Sequence, residues 1–209
     1  MRMVKFGLVM SIMLKKFKTV IQTLMVVTIT VFCIGIFYLY VEDTKLRAEE
    51  LTPQKPNFEQ TNNQQFLNNV LQCVNYVYHK NKDFEKVNLE LLLAQAALES
   101  GWGDSRFAKV GKNLFGIRTY DLQQPHMLPS NKPKKWGVKV YEHECYSVEH
   151  YVKILNNGSG FEDYRKLKED GIDDPFILVE TLGAYASDKD YFPKVKSIIK
   201  KIRKEYKIQ

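Results

Sequence analysis

From Thr19 to Tyr40 the chain reads TVIQTLMVVTITVFCIGIFYLY, without a single charged residue. About 22 residues at roughly 1.5 Å per residue are enough to cross a hydrocarbon core as a helix. Residues 19–41 are therefore expected to form a single transmembrane anchor. Arg2, Lys5, Lys15, Lys16 and Lys18 precede it, and Glu42 and Asp43 follow. By the excess of cations on the cytoplasmic side, residues 1–18 form a basic cytoplasmic N-terminus and everything after the span lies outside. A cleaved signal peptide has a shorter apolar stretch and then a small-x-small site, which FYLYVEDTKLRAEE does not offer. The expected location is the cell inner membrane, single-pass, with the folded part on the periplasmic or extracytoplasmic side.

Residues 42–65 are polar and broken by prolines, the pattern of a linker. A folded domain is expected over 66–209. Phe66, Leu67, Val70, Leu71, Val74, Val77 and Tyr78 recur at helical spacing. Leu89 to Leu98 is apolar at nearly every position, which predicts a helix buried on all sides. Val148, Tyr151, Val152 and Leu155 form another stripe, stopped by NNGSG. Asp174 before Pro175 signals a helix start, with Phe176, Val179 and Leu182 behind it and Gly183 as the stop. A last helix carries Val195, Ile198, Ile199, Ile202 and Tyr206 opposite a lysine-rich face. Strand signal is confined to NLFGIRTY and WGVKVYE, separated by a turn-rich stretch from Asp121 to Lys135. The predicted class is α+β, mainly α, with one small β element.

Composition narrows the partner. A net charge of +7 and a pI near 9.1 favour an anionic surface or polymer. A domain outside the cytoplasm does not meet genomic DNA, so the expected partners are an envelope polymer and the membrane, not nucleic acid. Cys33 falls in the span, which leaves Cys73 and Cys145 as the one possible pair; the sequence leaves open a disulfide or two separately buried thiols. His79, His126, His143 and His150 show no metal-ligand spacing with cysteine, and nothing calls for a metal or an organic cofactor.

One carboxylate stands out. Glu99 ends the apolar run LLLAQAALE, and Gly101 and Gly103 follow at once. Burial and the partial negative charge of a helix C-terminus both disfavour ionisation, and Trp102 and Phe107 stand close in sequence to exclude water. A raised pKa suits a general acid that must hold a proton near neutral pH. The competing reading pairs Glu99 with Arg106 or Lys109 across the next turn.

AQAALESGWGDSRFAKVGKNLFGI, Ala94 to Ile117, resembles the signature of glycoside hydrolase family 73, the bacterial peptidoglycan N-acetylglucosaminidases, and most of all its Bax-like members. The resemblance continues through VYEHECYSVEHYVKILNNGSGFEDYRKL, Val140 to Leu167, and LGAYASDKDYFPKVKSIIKKI, Leu182 to Ile202. It implies a lysozyme-like domain with a small β-hairpin lobe, acting on the glycan strands of peptidoglycan at N-acetylglucosamine. On that likeness Glu99 is the catalytic acid and Tyr185 lines the catalytic centre. Trp102, Asn113, Phe115 and Tyr191 fall on motif positions and are expected near substrate, as groove wall, turn or packing residues.

The likeness departs at one point. Many members of the family carry a second glutamate in the hairpin, near Gly137 here, but from Thr119 to Tyr141 the only acid is Asp121. Glycosidases ordinarily pair two carboxylates. Asp121, Glu142 and Glu144 are the candidates, Asp121 first, and the alternative is assistance by the substrate's own 2-acetamido group. Two further readings stay open: a lytic transglycosylase with one catalytic glutamate, and a silent peptidoglycan-binding scaffold.

Overall fold

The computed structural model describes residues 2–59, 61–129, 135–183, 185 and 189–208. They form two compact units, residues 1–52 and 53–209. The first is one long helix, α1 (Arg2–Leu51). Its stretch Lys18–Arg47 is long and apolar enough to cross a membrane. The large apolar side chains from Val20 to Tyr40 are exposed, Phe32 at 70% and Leu39 at 69%.

The linker expected over 42–65 takes a different form. Its first part continues α1, because no breaker appears until Pro53, which disfavours helix at the residue before it. From Pro53 the chain belongs to the second unit. The Pro56 carbonyl accepts from His143 Nε2 at 3.0 Å, Asn69 Nδ2 donates to the Glu59 carbonyl at 3.0 Å, and Phe58 packs edge-on to Phe66. The first of these contacts spans 87 residues and the others reach into the next helix, so a polar and aperiodic stretch gives no local sign of them.

The second unit is built on α2 (Asn63–Lys80), α3 (Leu89–Ser100), α4 (Arg106–Lys109), α5 (Glu144–Asn157), α6 (Glu162–Glu169), α7 (Pro175–Leu178) with a 3-10 turn over Val179–Thr181, and α8 (Tyr191–Glu205). Side chains set the starts. Asn62 accepts from Gln65 N, Asn88 from Leu91 N and Asp174 from Phe176 N, each satisfying an otherwise orphaned helix donor. At the centre is α3, whose Leu91, Leu92, Leu93, Ala94, Ala96 and Ala97 are all essentially inaccessible. It packs against α8, while α2 packs against α5. Cys73 of α2 and Cys145 of α5 are joined in a disulfide that closes a separation of 72 residues.

The β element is an antiparallel sheet in the order β1-β3-β2, from β1 (Arg118–Thr119), β2 (His126–Met127) and β3 (Gly137–Lys139). Arg118 lies opposite Val138, and His126 opposite Lys139. The first and third strands fall in the two segments with strand signal. The second lies within the stretch expected to be turns, where two residues are too few to show alternation. A Cβ at Gly137 would sit 2.5 Å from the His126 ring, so glycine is what lets β2 close over β3.

Candidate active site

The last turn of α3 sets the site. Gly101, Trp102 and Gly103 all have positive φ, at 59°, 60° and 84°, so the chain leaves α3 by a tight left-handed turn. Left-handed backbone costs a tryptophan about 1–2 kcal/mol, and local bonds hold it there. Trp102 N donates to the Ala97 carbonyl at 2.7 Å, Gly103 N to Ser100 Oγ at 2.7 Å, and Ser105 N to the Ser100 carbonyl at 2.8 Å. The Trp102 ring packs against Phe66 and Tyr206, with Lys201 Nζ 5.3 Å from its centroid. The Glu-Ser-Gly-Trp-Gly string is thus a helix stop that presents Glu99 on the final turn.

Glu99 is half-buried, and burial pushes its carboxyl above the ordinary range. Two weaker effects pull the other way: a hydrogen bond from Tyr191 and the positive charge of Arg118. The incoming strand lies close, since a Cβ at Gly116 would stand 3.4 Å from Glu99 Oε2, and Gly116 itself needs a φ of 62°.

A buried hydrogen-bond chain ends on this carboxyl. The Tyr151 hydroxyl donates to Gln95 Oε1, Gln95 Nε2 donates to the Tyr191 oxygen at 2.6 Å, and the Tyr191 hydroxyl in turn acts on Glu99, lowering its pKa. Gln95 and Tyr151 are fully buried and Tyr191 is 4% exposed. With the Gln95 amide oriented this way, the Tyr191 proton is directed at Glu99. Around the chain, Phe115 stacks on Tyr151 at 4.2 Å, and Tyr185 stacks on Tyr191 with centroids 6.1 Å apart. The Tyr185 hydroxyl donates to the Phe115 carbonyl at 2.6 Å, which ties the segment before α8 to the loop before β1. Burial raises the pKa of Tyr151, Tyr185 and Tyr191 far out of reach of neutral pH, so all three act as neutral hydrogen-bonding groups.

Residues 75–204 match the glucosaminidase family described as mannosyl-glycoprotein endo-beta-N-acetylglucosaminidase. The chain belongs to this family. It is 26% identical over 130 residues to the exo-glucosaminidase LytG of Bacillus subtilis, a match covering 56% of this chain and 46% of that protein. It is 31% identical over 128 residues to the peptidoglycan hydrolase FlgJ of Vibrio parahaemolyticus, covering 56% and 41%. The chain thus spans less than half the length of these curated relatives. The catalytic domain of the autolysin Auto from Listeria monocytogenes superposes with a TM-score of 0.52 at 26% identity, over 78% of this chain and 94% of that one. An N-acetylmuramoyl-L-alanine amidase from Staphylococcus aureus shares the fold, with a TM-score of 0.52 at 23% identity over 72% and 46%. The fold is lysozyme-like, mostly helical with a small antiparallel sheet.

Within this glucosaminidase domain the residues singled out from sequence separate into two groups. Glu99, Tyr185 and Tyr191 come together, although Tyr191 reaches Glu99 from inside the core and offers no surface to a sugar. Asn113 and Phe115 are each 1% exposed, so neither has a face for substrate contact. Asn113 instead orders the loop: its Nδ2 donates to the Ile117 and Lys139 carbonyls, and its Oδ1 accepts from Phe115 N and Ile117 N. Trp102 is spent on packing between α2 and α8. Asp121 is exposed, and its carboxylate accepts from Gln123 N and Gln124 Nε2, both at 3.0 Å, as a turn residue does. Glu144 is 4% exposed and paired with Lys112 at 2.9 Å; Glu142 is exposed beside Tyr146 and Lys153. Positions 184 and 186–188 of the terminal tyrosine motif lie outside the described residues.

Gln95 and Arg118 escaped the reading from sequence. Gln95 had a signal, as the one polar side chain between Leu91 and Leu98. Arg118 had none. Among the described residues a group of metal-ligating types also forms, Cys73, His143 and Cys145, but its two sulfurs are bonded to each other and present no thiolate.

Proposed function

We propose that this chain is a membrane-anchored peptidoglycan hydrolase that cuts the glycan strand on the reducing side of N-acetylglucosamine, with Glu99 as general acid. The observation that carries the reading is the Glu99 carboxyl itself, poised on the last turn of a buried helix, its pKa raised by burial. The names of the LytG and FlgJ relatives support the substrate class. The exposed apolar face of Lys18–Arg47 supports the anchor, and the Cys73–Cys145 disulfide supports an oxidising, extracytoplasmic compartment.

Glu99 gives its proton to the glycosidic oxygen as the bond to C1 breaks. The oxocarbenium-like centre then needs a stabilising group. Asp121 is committed to its turn and Glu144 to Lys112, while Gly137, where the family likeness would put a second glutamate, is covered by His126. These occupancies favour the substrate-assisted route: the acetamido oxygen closes on C1 from the face opposite the departing oxygen to form an oxazolinium ion, and water entering on the face that oxygen left opens it, with Glu99 taking back a proton from the water. Tyr185 has given its hydrogen to the Phe115 carbonyl, so its oxygen remains to accept the acetamido N–H.

Mass spectrometry of muropeptides released from purified peptidoglycan tests this. The protein is expected to release reducing N-acetylglucosamine ends, and Glu99→Gln to lower the rate by about 10²–10⁴-fold, the usual worth of a general acid. Asp121→Asn, Glu142→Gln and Glu144→Gln are expected to keep activity. An active Glu99→Gln variant overturns the assignment of the acid, and loss in one of the other three identifies a second carboxylate. Anhydromuramic ends establish a transglycosylase.

A further inference from the structure

Arg118 is the first residue of β1, two positions past the glycine that brushes Glu99. Its side chain is exposed, and its guanidinium carbon lies 4.1 Å from the centroid of the half-buried Trp136 ring. Among the described residues no hydrogen bond or ion pair engages that guanidinium, whereas Arg106, Arg165 and Arg203 all have such partners. Stacking on an indole face fixes the plane of a guanidinium and leaves its N–H edge open. The charge also acts on Glu99. The domain therefore holds, two residues from Gly116 and close enough to act on Glu99, a cation seated on Trp136 whose N–H donors have no partner among the described residues.

The position is informative because of what lies next to the scissile oxygen. On the proposed reading, Glu99 protonates O4 of the departing sugar, an N-acetylmuramic acid. The adjacent O3 of that sugar carries a lactyl group. In a strand bearing stem peptides the lactyl carboxyl is an amide; in a strand stripped of them it is a free carboxylate. A planar, forked cation is matched to a carboxylate and gains little from an amide carbonyl.

We propose that Arg118, held on Trp136, recognises the free lactyl carboxylate of the muramic acid on the leaving side, so that the protein prefers peptide-stripped glycan. This rests on the hydrolase reading above. It also places the protein in a sequence of reactions: hydrolysis of the amide between the lactyl group and the first stem residue must supply the preferred substrate.

The test compares three preparations of one glycan: strands freed of peptide, the same strands with the lactyl carboxyl converted to its methylamide, and strands with intact stems. The full chain is expected to show kcat/KM about 10-fold to 100-fold higher on the free carboxylate than on the methylamide, the usual worth of a charge-assisted hydrogen bond. Arg118→Ala should bring that ratio close to one, and added salt should reduce it in the unaltered protein. Equal rates on the two stripped substrates overturn the proposal, as does an Arg118→Ala variant that slows both alike. Fastest cleavage of strands with intact stems also overturns it, and points to a carboxylate of the peptide. Binding of Glu99→Gln to the same strands, with and without Arg118→Ala, reads the preference without turnover. If nothing is cleaved but binding still depends on the carboxylate, the hydrolase reading fails and the recognition stands.

Discussion

Removing one oxygen from Tyr191 tests both the architecture and the chemistry of the site. In Tyr191→Phe the ring remains stacked on Tyr185, but the hydroxyl that accepts from Gln95 Nε2 at 2.6 Å and donates to Glu99 is gone. Gln95 is fully buried, so its amide hydrogen then has no water to turn to. Leaving one such donor unsatisfied costs about 1–3 kcal/mol, and at this domain size each kcal/mol lowers Tm by about 2–4 °C. The expected fall is therefore roughly 2–12 °C by these two figures. The pH dependence follows a separate line. Burial holds the Glu99 pKa up and the Tyr191 hydrogen bond holds it down, so the variant keeps the first effect and loses the second. Glu99 then retains its proton to higher pH. Activity that needs protonated Glu99 is present below its pKa and lost as pH rises through it, so the basic limb of the kcat/KM profile should move to higher pH. Calorimetry and a pH–rate profile on purified glycan measure the two effects. A basic limb that stays in place or moves down refutes the role given to this hydrogen bond, and an unchanged Tm refutes the buried chain.

Two other expectations concern the frame around the site. The Cys73–Cys145 bond closes 72 residues, for which chain entropy gives about 4 kcal/mol; reduction, or paired cysteine-to-alanine replacement, should lower Tm by roughly 8–16 °C. A shift under about 2 °C would mean that the bond leaves the unfolded chain little changed. The second compact unit begins at Pro53, so a fragment of residues 53–209 should be soluble without detergent and still release glycan, whereas the full chain should require detergent or a bilayer. A full chain that stays soluble in plain buffer, or a fragment that aggregates, contradicts the anchor.

The unusual setting of Glu99 was readable because it is built locally. An apolar run long enough for a helix, closed by two glycines, places Glu99 at the end of a buried element, and burial is the first cause of its raised pKa. Helix starts at Asn88 and Asp174 were equally local, since a cap and its donor lie two or three residues apart. Gln95 was visible as an oddity, but its partners Tyr191 and Tyr151 stand 96 and 56 residues away. For Trp102 the sequence left groove wall and packing both open: its motif position is beside Glu99, and a left-handed backbone turns the ring toward Phe66 and Tyr206.

Hydropathy and period along the chain by themselves determined the long apolar span, a mainly helical domain with a small β element, and the carboxylate at the end of its most buried helix. The tertiary structure decided the rest: that Cys73 and Cys145 meet, that His126 covers Gly137, that Asn113 and Phe115 are used up inside, and that Arg118 sits over the Trp136 ring. Periodicity reports which face of an element avoids water. The group that a side chain finally touches depends on segments far away in sequence, brought together only when the core packs.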